Sequence, residues 1–446
     1  MANIDSKNKS VEKIYKGFWW NPQHPETKVA GVLTYNVDKI ILELIGSFSI
    51  DLEEQLCNHR LNLIHGIDSN AKEITLIDCH RTFSRNLSSE FPIDRYDCRR
   101  LIYDKHIGGL DEKRHYTAYL QFPELSYWAH PGAIIQTLST DGKCTIGFSS
   151  KSKELLTINL NSNTRIKIEG VANFSSEEYY LTSDLSQHSR VKLEFDDEVS
   201  ISEIEKYKWR LSCFLSFAFL TDVRCSRFYL HSPEEVQDFG NGQKYYFPID
   251  VFQPEFPCSS ISVKNKYIFN LSDIESNAHV ILRHWMTCSD AIWPIMYHLV
   301  ESLKRKPTFS SVDFLIISQA VEGFWWRFRD SAYQEQQKNK QEQQKKKNKK
   351  SKNTDLNIAL YELLNEYSRI SAIKLLDLDI AAAVDSRHYY SHFLPEGKKA
   401  NVKEGLELYK LSMKLRKLLL CIVLTEIGFT DDQVENVCGN LMQYFE

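Results

Sequence analysis

The run Asp385-Ser386-Arg387-His388-Tyr389-Tyr390-Ser391-His392, followed by Phe393-Leu394-Pro395, holds the residue types best suited to chemistry in this chain. An arginine and a histidine close together can cleave RNA without a metal. The guanidinium offers planar donors to the scissile phosphate and to the charge that develops on it. The imidazole titrates near neutral pH, so it can take the 2′-hydroxyl proton or protonate the leaving 5′-oxygen. Each role contributes on the order of 10²–10⁴ in rate. The expected products are a 2′,3′-cyclic phosphate and a 5′-hydroxyl.

The spacing alone is not selective. Arg60/His65, Arg99/His106, Arg100/His106 and Arg224/His231 have comparable separations. Arg387 and His392 differ in context: they follow the small-residue run Ala381-Ala382-Ala383 in a helical region, and Pro395 stops the helix. Other roles for these residues stay open. The pair could cap a helix end beside Asp385. Asp385, His388 and His392 share one helix face and could hold a divalent metal, although no fourth ligand is evident. Tyr389 and Tyr390 could stack on a base or pack, and Ser391 could touch phosphate or be neutral.

The elements that must position this motif are helical. From about residue 272 the chain reads as helices over 273–304 (kinked or broken at Pro294 and ended by Pro307), 309–333, 355–367, 370–392, 405–427 (closed by Gly428) and 431–445. The first two thirds read as strands. Residues 29–35 and 39–45 resemble a hairpin across Asn36-Val37-Asp38. Further candidates are 73–77, 99–103, 116–122, 144–148, 155–160, 165–171, 179–183, 191–195, 227–230 and 267–271. Ser202 and Glu205 form a capping-box pattern before a helix running to about Leu220. The fold class is therefore α+β: a β-rich region over 1–265 and an all-α bundle over 270–446, with the Lys/Gln-rich stretch 334–353 as a solvated insertion.

Composition narrows the function classes. With 42% hydrophobic and 26% charged residues, the 446-residue chain fits a folded globular protein rather than a disordered one. The net charge is −4, yet 334–353 alone carries +6, so basic character is local rather than global. That tract could attract RNA with steep salt dependence or act as a solubilising linker. The longest apolar run, 418–424, is far short of the ~20 residues of a spanning helix. The polar start lacks the apolar core of a secretory signal. Ten cysteines with no C-x-x-C pair give neither a disulfide framework nor a zinc ribbon. A reduced, cytoplasmic protein without a membrane segment is expected. Phe18-Trp19-Trp20 and Phe324-Trp325-Trp326 read as packing residues. Asp78-Cys79-His80 reads as structural, because adjacent strand residues point to opposite faces. Cys57, His59 and His65 lack metal spacing.

The segment 385–392 and its helical surroundings resemble the carboxy-terminal domain of ApeA-like HEPN proteins. Their signature of Arg, a polar residue, a few residues and His reads here as Arg387, His388, Tyr389-Tyr390-Ser391, His392. The front agrees: Gly17-Phe18-Trp19-Trp20-Asn21-Pro22, Gly31-Val32-Leu33 and the run 41–46 are similar to the opening of the ApeA amino-terminal domain. The resemblance implies an endoribonuclease of abortive anti-phage defence, with no metal or other cofactor. It implies a homodimer whose two motifs share one cleft, and RNA as partner, tRNA anticodon loops above all. His392 would handle a proton, Arg387 would bind the phosphate, and His388 would be an auxiliary polar group. The amino-terminal domain would restrain the nuclease or sense a phage-encoded trigger. Two competing classes are a non-catalytic HEPN module that dimerises or binds RNA, and a nucleotide- or group-transferase partner, for which no nucleotidyltransferase motif is visible.

Overall fold

Strict alternation decides the front of the chain. In β2 (Val29–Asn36, after β1, Lys13–Trp20) and β3 (Lys39–Ile45), Val29, Leu33, Ile40, Leu42 and Leu44 are buried while Ala30 and Glu43 face out. The hairpin expected here is present. The Asn36 side-chain oxygen accepts from the backbone N–H of Asp38 and Lys39, and Leu33 lies opposite Leu42. These features come from a computed structural model that describes residues 12–36, 38–48, 60–85, 92–138, 144–149, 151–176, 183–240, 244–254, 267–288, 292–304, 310–329, 355–395 and 397–445. The expected insertion at 334–353 and most of the strand expected at 179–183 lie outside the described residues, as do Cys57 and His59.

The chain forms two compact units: Met1–Pro123 with Pro131–Lys208 and Cys225–Ser262, and Glu124–His130 with Trp209–Arg224 and Val263–Glu446. In the first unit, β4 (Arg60–Asp68), β5 (Glu73–Arg85) and β6 (Ile93–Tyr103) join β1–β3. Because β6 pairs with both β3 and β5, the six strands close into an antiparallel barrel, order β6-β3-β2-β1-β4-β5. Trp19, Leu33, Leu42, Leu44, Ile64, Ile74 and Leu76 fill it, each large side chain contributing about 1.5–3 kcal/mol by leaving water. Gly66 is required there, because a Cβ on it would fall 2.3 Å from the Trp19 ring.

The chain continues through β7 (Lys113–Arg114), β8 (Thr117–Gln121), the single-turn α1 (Leu125–Trp128), β9 (Ile134–Leu138), β10 (Cys144–Phe148), β11 (Lys153–Asn159), β12 (Thr164–Ser176), β13 (Ser183–Phe195) and β14 (Val199–Ser200). Then follow α2 (Ile201–Phe219), β15 (Arg227–His231), β16 (Val236–Asp238), β17 (Lys244–Tyr246) and β18 (Ile249–Phe252). The end of β6 also pairs with β18, and the sheet extends from there in the order β18-β15-β8-β13-β12-β11. The capping box of α2 lies two residues earlier than expected. Ser200, not Ser202, donates and accepts with Glu203, and Glu205 instead receives the Arg100 guanidinium at 2.9 Å.

In the second unit, the expected strand at 267–271 is absent. Ile268 and Leu271 donate their N–H groups to the Ala218 and Trp128 carbonyls, and a 3₁₀ turn, Ser272–Ile274, follows. The helices are α3 (Ala278–Thr287), α4 (Trp293–Lys304), α5 (Ser311–Phe328), α6 (Asp355–Glu366), α7 (Ser371–Lys374), α8 (Ile380–His392), α9 (Gly405–Glu426) and α10 (Asp431–Phe445). The break expected near Pro294 is present, since α3 ends at Thr287 and α4 begins at Trp293, and Pro294 itself kinks neither helix. It sits in the first turn of α4, where a missing N–H costs nothing. The helix expected at 370–392 is two: Asp377 adopts φ +44°, and Asp379 caps α8 by accepting from the Ala382 N–H at 2.9 Å. The long apolar α9 packs on α5, and α8 packs on α5 and α6. Gly428, at φ +104°, ends α9 as expected.

Candidate active site

Helix α8 is built to end in solvent. Ala382, Ala383 and Ser386 are fully buried, so its first turns lie close against their neighbours. Phe393 then takes a left-handed conformation (φ 50°), its N–H closing on the Tyr389 carbonyl, and its ring is exposed. The last turn and a half, 387–392, therefore stands at a carbonyl-rich helix end that favours positive charge.

Arg387 and His392 do not share a face of α8. Five residues at 3.6 per turn set them about 140° apart. Arg387 turns to α5, where its Nη2 donates to Glu322 Oε2 at 3.0 Å, with the two side chains 24% and 15% exposed. Its Nε is buried and meets no acceptor among the described residues. His392 is exposed and stacks on His388, with ring centroids 5.7 Å apart. His388 thus sits between the two ends of the motif. Burial lowers its basicity below the usual histidine range, and the positive charges of Lys399, Arg387 and His392 lower it further, against the opposing pull of Asp385.

The segment after α8 folds back along it. Lys399 Nζ donates to Asp385 Oδ1 at 3.2 Å, and the Asn401 backbone and side chain both donate to Asp385 Oδ2. The Lys403 N–H donates to Ser386 Oγ, and the Tyr390 hydroxyl to the Lys403 carbonyl. Burial by itself would raise the Asp385 carboxyl, but Lys399 and Asn401 hold it below its usual range. That carboxylate is occupied by the segment rather than free for a metal. Tyr390 also packs edge-on to Phe314, so it is a packing residue, and Ser391 Oγ faces the His388 carbonyl at 3.4 Å.

Glu322 is the residue that motif reading missed. It lies 65 positions before Arg387, and nothing in its neighbourhood announces it except the buried Phe324 and Trp325 that fix the face of α5. A second missed cluster ties α5 to the end of the bundle: Arg329 bonds both Glu366 and Glu426, and the Tyr367 hydroxyl donates to Glu426. Two of the competing pairs, Arg60/His65 and Arg100/His106, have structural partners. Arg60 bonds Asp78, Arg100 bonds Glu205, and His65 and His106 stack on each other while each reaches a backbone carbonyl. Cys79 is buried opposite Cys98 while His80 faces out, as the strand alternation requires.

A β-barrel region followed by a helical bundle with Arg387 and His392 at the end of one helix has the architecture of a HEPN protein. Residues 14–285 match the family described as ApeA N-terminal domain 1, and residues 315–433 match Apea-like HEPN. The chain belongs to the ApeA-like HEPN family, as the resemblance of its motifs implied. HEPN domains generally act as ribonucleases and dimerise, and this family points to an anti-phage nuclease. No curated protein and no solved structure matches the chain. Among the described residues, no helix is long and apolar enough to cross a membrane.

Proposed function

We propose that the chain is a metal-independent endoribonuclease that cuts RNA, tRNA anticodon loops foremost, in cytoplasmic abortive defence against phage. Arg387 binds the scissile phosphate and stabilises its developing charge, His392 moves the 2′-hydroxyl or leaving-group proton, and His388 supports both. The cut leaves a 2′,3′-cyclic phosphate and a 5′-hydroxyl. The β-rich region restrains the bundle or senses a phage-encoded trigger. The observation that carries this reading is the end of α8. A guanidinium held by Glu322 keeps a donor that meets no acceptor among the described residues, next to a His388/His392 stack whose outer ring is open to solvent.

The angular separation of Arg387 and His392 favours a site completed by a second copy of the chain. Two motifs would then meet in one cleft, and their titrations would couple.

The test is cellular. Wild type, Arg387→Ala and His392→Ala chains are expressed in bacteria, challenged with a phage panel, and RNA 5′-hydroxyl ends are sequenced. Protection and new ends should appear with wild type and vanish in both variants. Co-expression of the two variants should restore part of the cleavage, because one mixed site would keep both groups. Protection that survives both substitutions without new RNA ends sinks the proposal, and RNA binding without cleavage selects the non-catalytic module.

A further inference from the structure

Lys399 is a lysine whose ammonium is held by a carboxylate of the motif helix, Asp385, in a segment that is itself tied to that helix. The segment around it is tied to α8 by Asn401 on Asp385, by the Lys403 N–H on Ser386 and by the Tyr390 hydroxyl on the Lys403 carbonyl. A surface lysine normally loses several rotamers when it binds. Here the bond to Asp385 already restrains the side chain, which lowers the cost of holding an anion.

The ammonium is also incompletely used. It has three hydrogens, and among the described residues Asp385 is its one side-chain acceptor, at 3.2 Å, while a third of the lysine side chain is open to solvent. Its charge is felt directly at His388, whose ring stacks on His392. One carboxylate, Asp385, thus aims a cation at the flank of the histidine pair, on a different side of α8 from the Arg387–Glu322 bond.

We propose that Lys399 is a substrate-binding residue that takes a phosphodiester of the RNA strand next to the one being cut. The proposal rests on the ribonuclease reading of the same site and adds the contact that sets the strand's register along α8. It assigns Asp385 a positioning role: it orders the lysine and touches no substrate.

The counterions that a phosphate contact releases make the test specific. Binding of a fluorescent single-stranded RNA is followed by anisotropy over a salt series, using full-length His392→Ala chains so that nothing is cut. Adding Lys399→Gln should lower the slope of log affinity against log salt by about 0.7, the share of one phosphate on a single strand. Between about 50 and 200 mM salt that is about threefold less loss of affinity. Lys399→Arg should restore the slope. In cleaving chains, Lys399→Gln should raise KM by a larger factor than it changes kcat, the mark of a contact that mainly binds. Matched far-UV circular dichroism melts keep a folding defect apart from these readouts. An unchanged slope and affinity in Lys399→Gln overturns the proposal. Cleavage that persists in Arg387→Ala and His392→Ala overturns the reading of the site, while a lowered slope would still uphold Lys399 as a phosphate contact. No RNA binding by any chain overturns both.

Discussion

The Arg387 guanidinium and the Glu322 carboxylate meet at 3.0 Å across α8 and α5, both mostly shielded from water. The bond joins the proposed phosphate-binding residue to a helix that carries none of the motif. It does two things at once: it stabilises the packing of α8 on α5, and it fixes which way the guanidinium fork faces.

Glu322→Gln should therefore act on stability and activity together. A hydrogen bond between charged groups is worth about 1.5–3 kcal/mol, and these side chains are shielded enough to keep most of that. Urea unfolding of Glu322→Gln, Arg387→Lys and the double variant should give a coupling energy of about 1–2 kcal/mol. A coupling near zero would show that the pair is a loose surface contact. Cleavage should fall in Glu322→Gln by less than in Arg387→Ala, because the guanidinium loses its holder but remains.

The His388 ring should titrate below the free-histidine value of 6.5, since protonation would add charge in a partly buried place beside Lys399 and Arg387. Histidine-labelled NMR would locate the midpoint. Removing a positive neighbour with Lys399→Gln should move it up, and removing the negative one with Asp385→Asn should move it down. The linkage has a definite sign. The folded chain holds His388 neutral, so its contribution to stability is complete above about pH 6.5 and is lost as pH falls toward the folded value. A midpoint at or above 6.5 would contradict the geometry around this ring.

The start of α2 offers a clean discrimination between two serines. Ser200 exchanges hydrogen bonds with Glu203 at the helix start, so Ser200→Ala should cost about 1 kcal/mol. Ser202→Ala, inside the helix, should stay within about 0.5 kcal/mol. Thermal melts of the two variants check this, and equal losses would mean that the cap is not where the bonds place it.

Local signals carried much of the architecture. The hairpin over β2 and β3 was legible because alternation, Asn36 and the turn all agree. The end of α9 was legible because Gly428 alone suits its positive φ. The errors arose where two local patterns were equally good. Ser200/Glu203 and Ser202/Glu205 both satisfy the capping-box spacing, and the choice is made by Arg100, which claims Glu205 from 105 positions away. Likewise, 370–392 has helical composition throughout. Asp377 and Asp379 break it, because an aspartate can turn the backbone or cap the next helix as easily as continue the first.

The sequence by itself determined the β-rich front, the helical bundle, the family and the motif Arg387-His388-Tyr389-Tyr390-Ser391-His392, because periodicity and short motifs are properties of neighbouring residues. Only the tertiary structure decided which way that motif faces. Glu322 and Asp385 select the orientations of Arg387 and Lys399, and Glu322 reaches Arg387 only when α5 and α8 pack. The direction of a flexible charged side chain is set by the partner that packing brings within hydrogen-bond reach. No spacing along the chain encodes that distance.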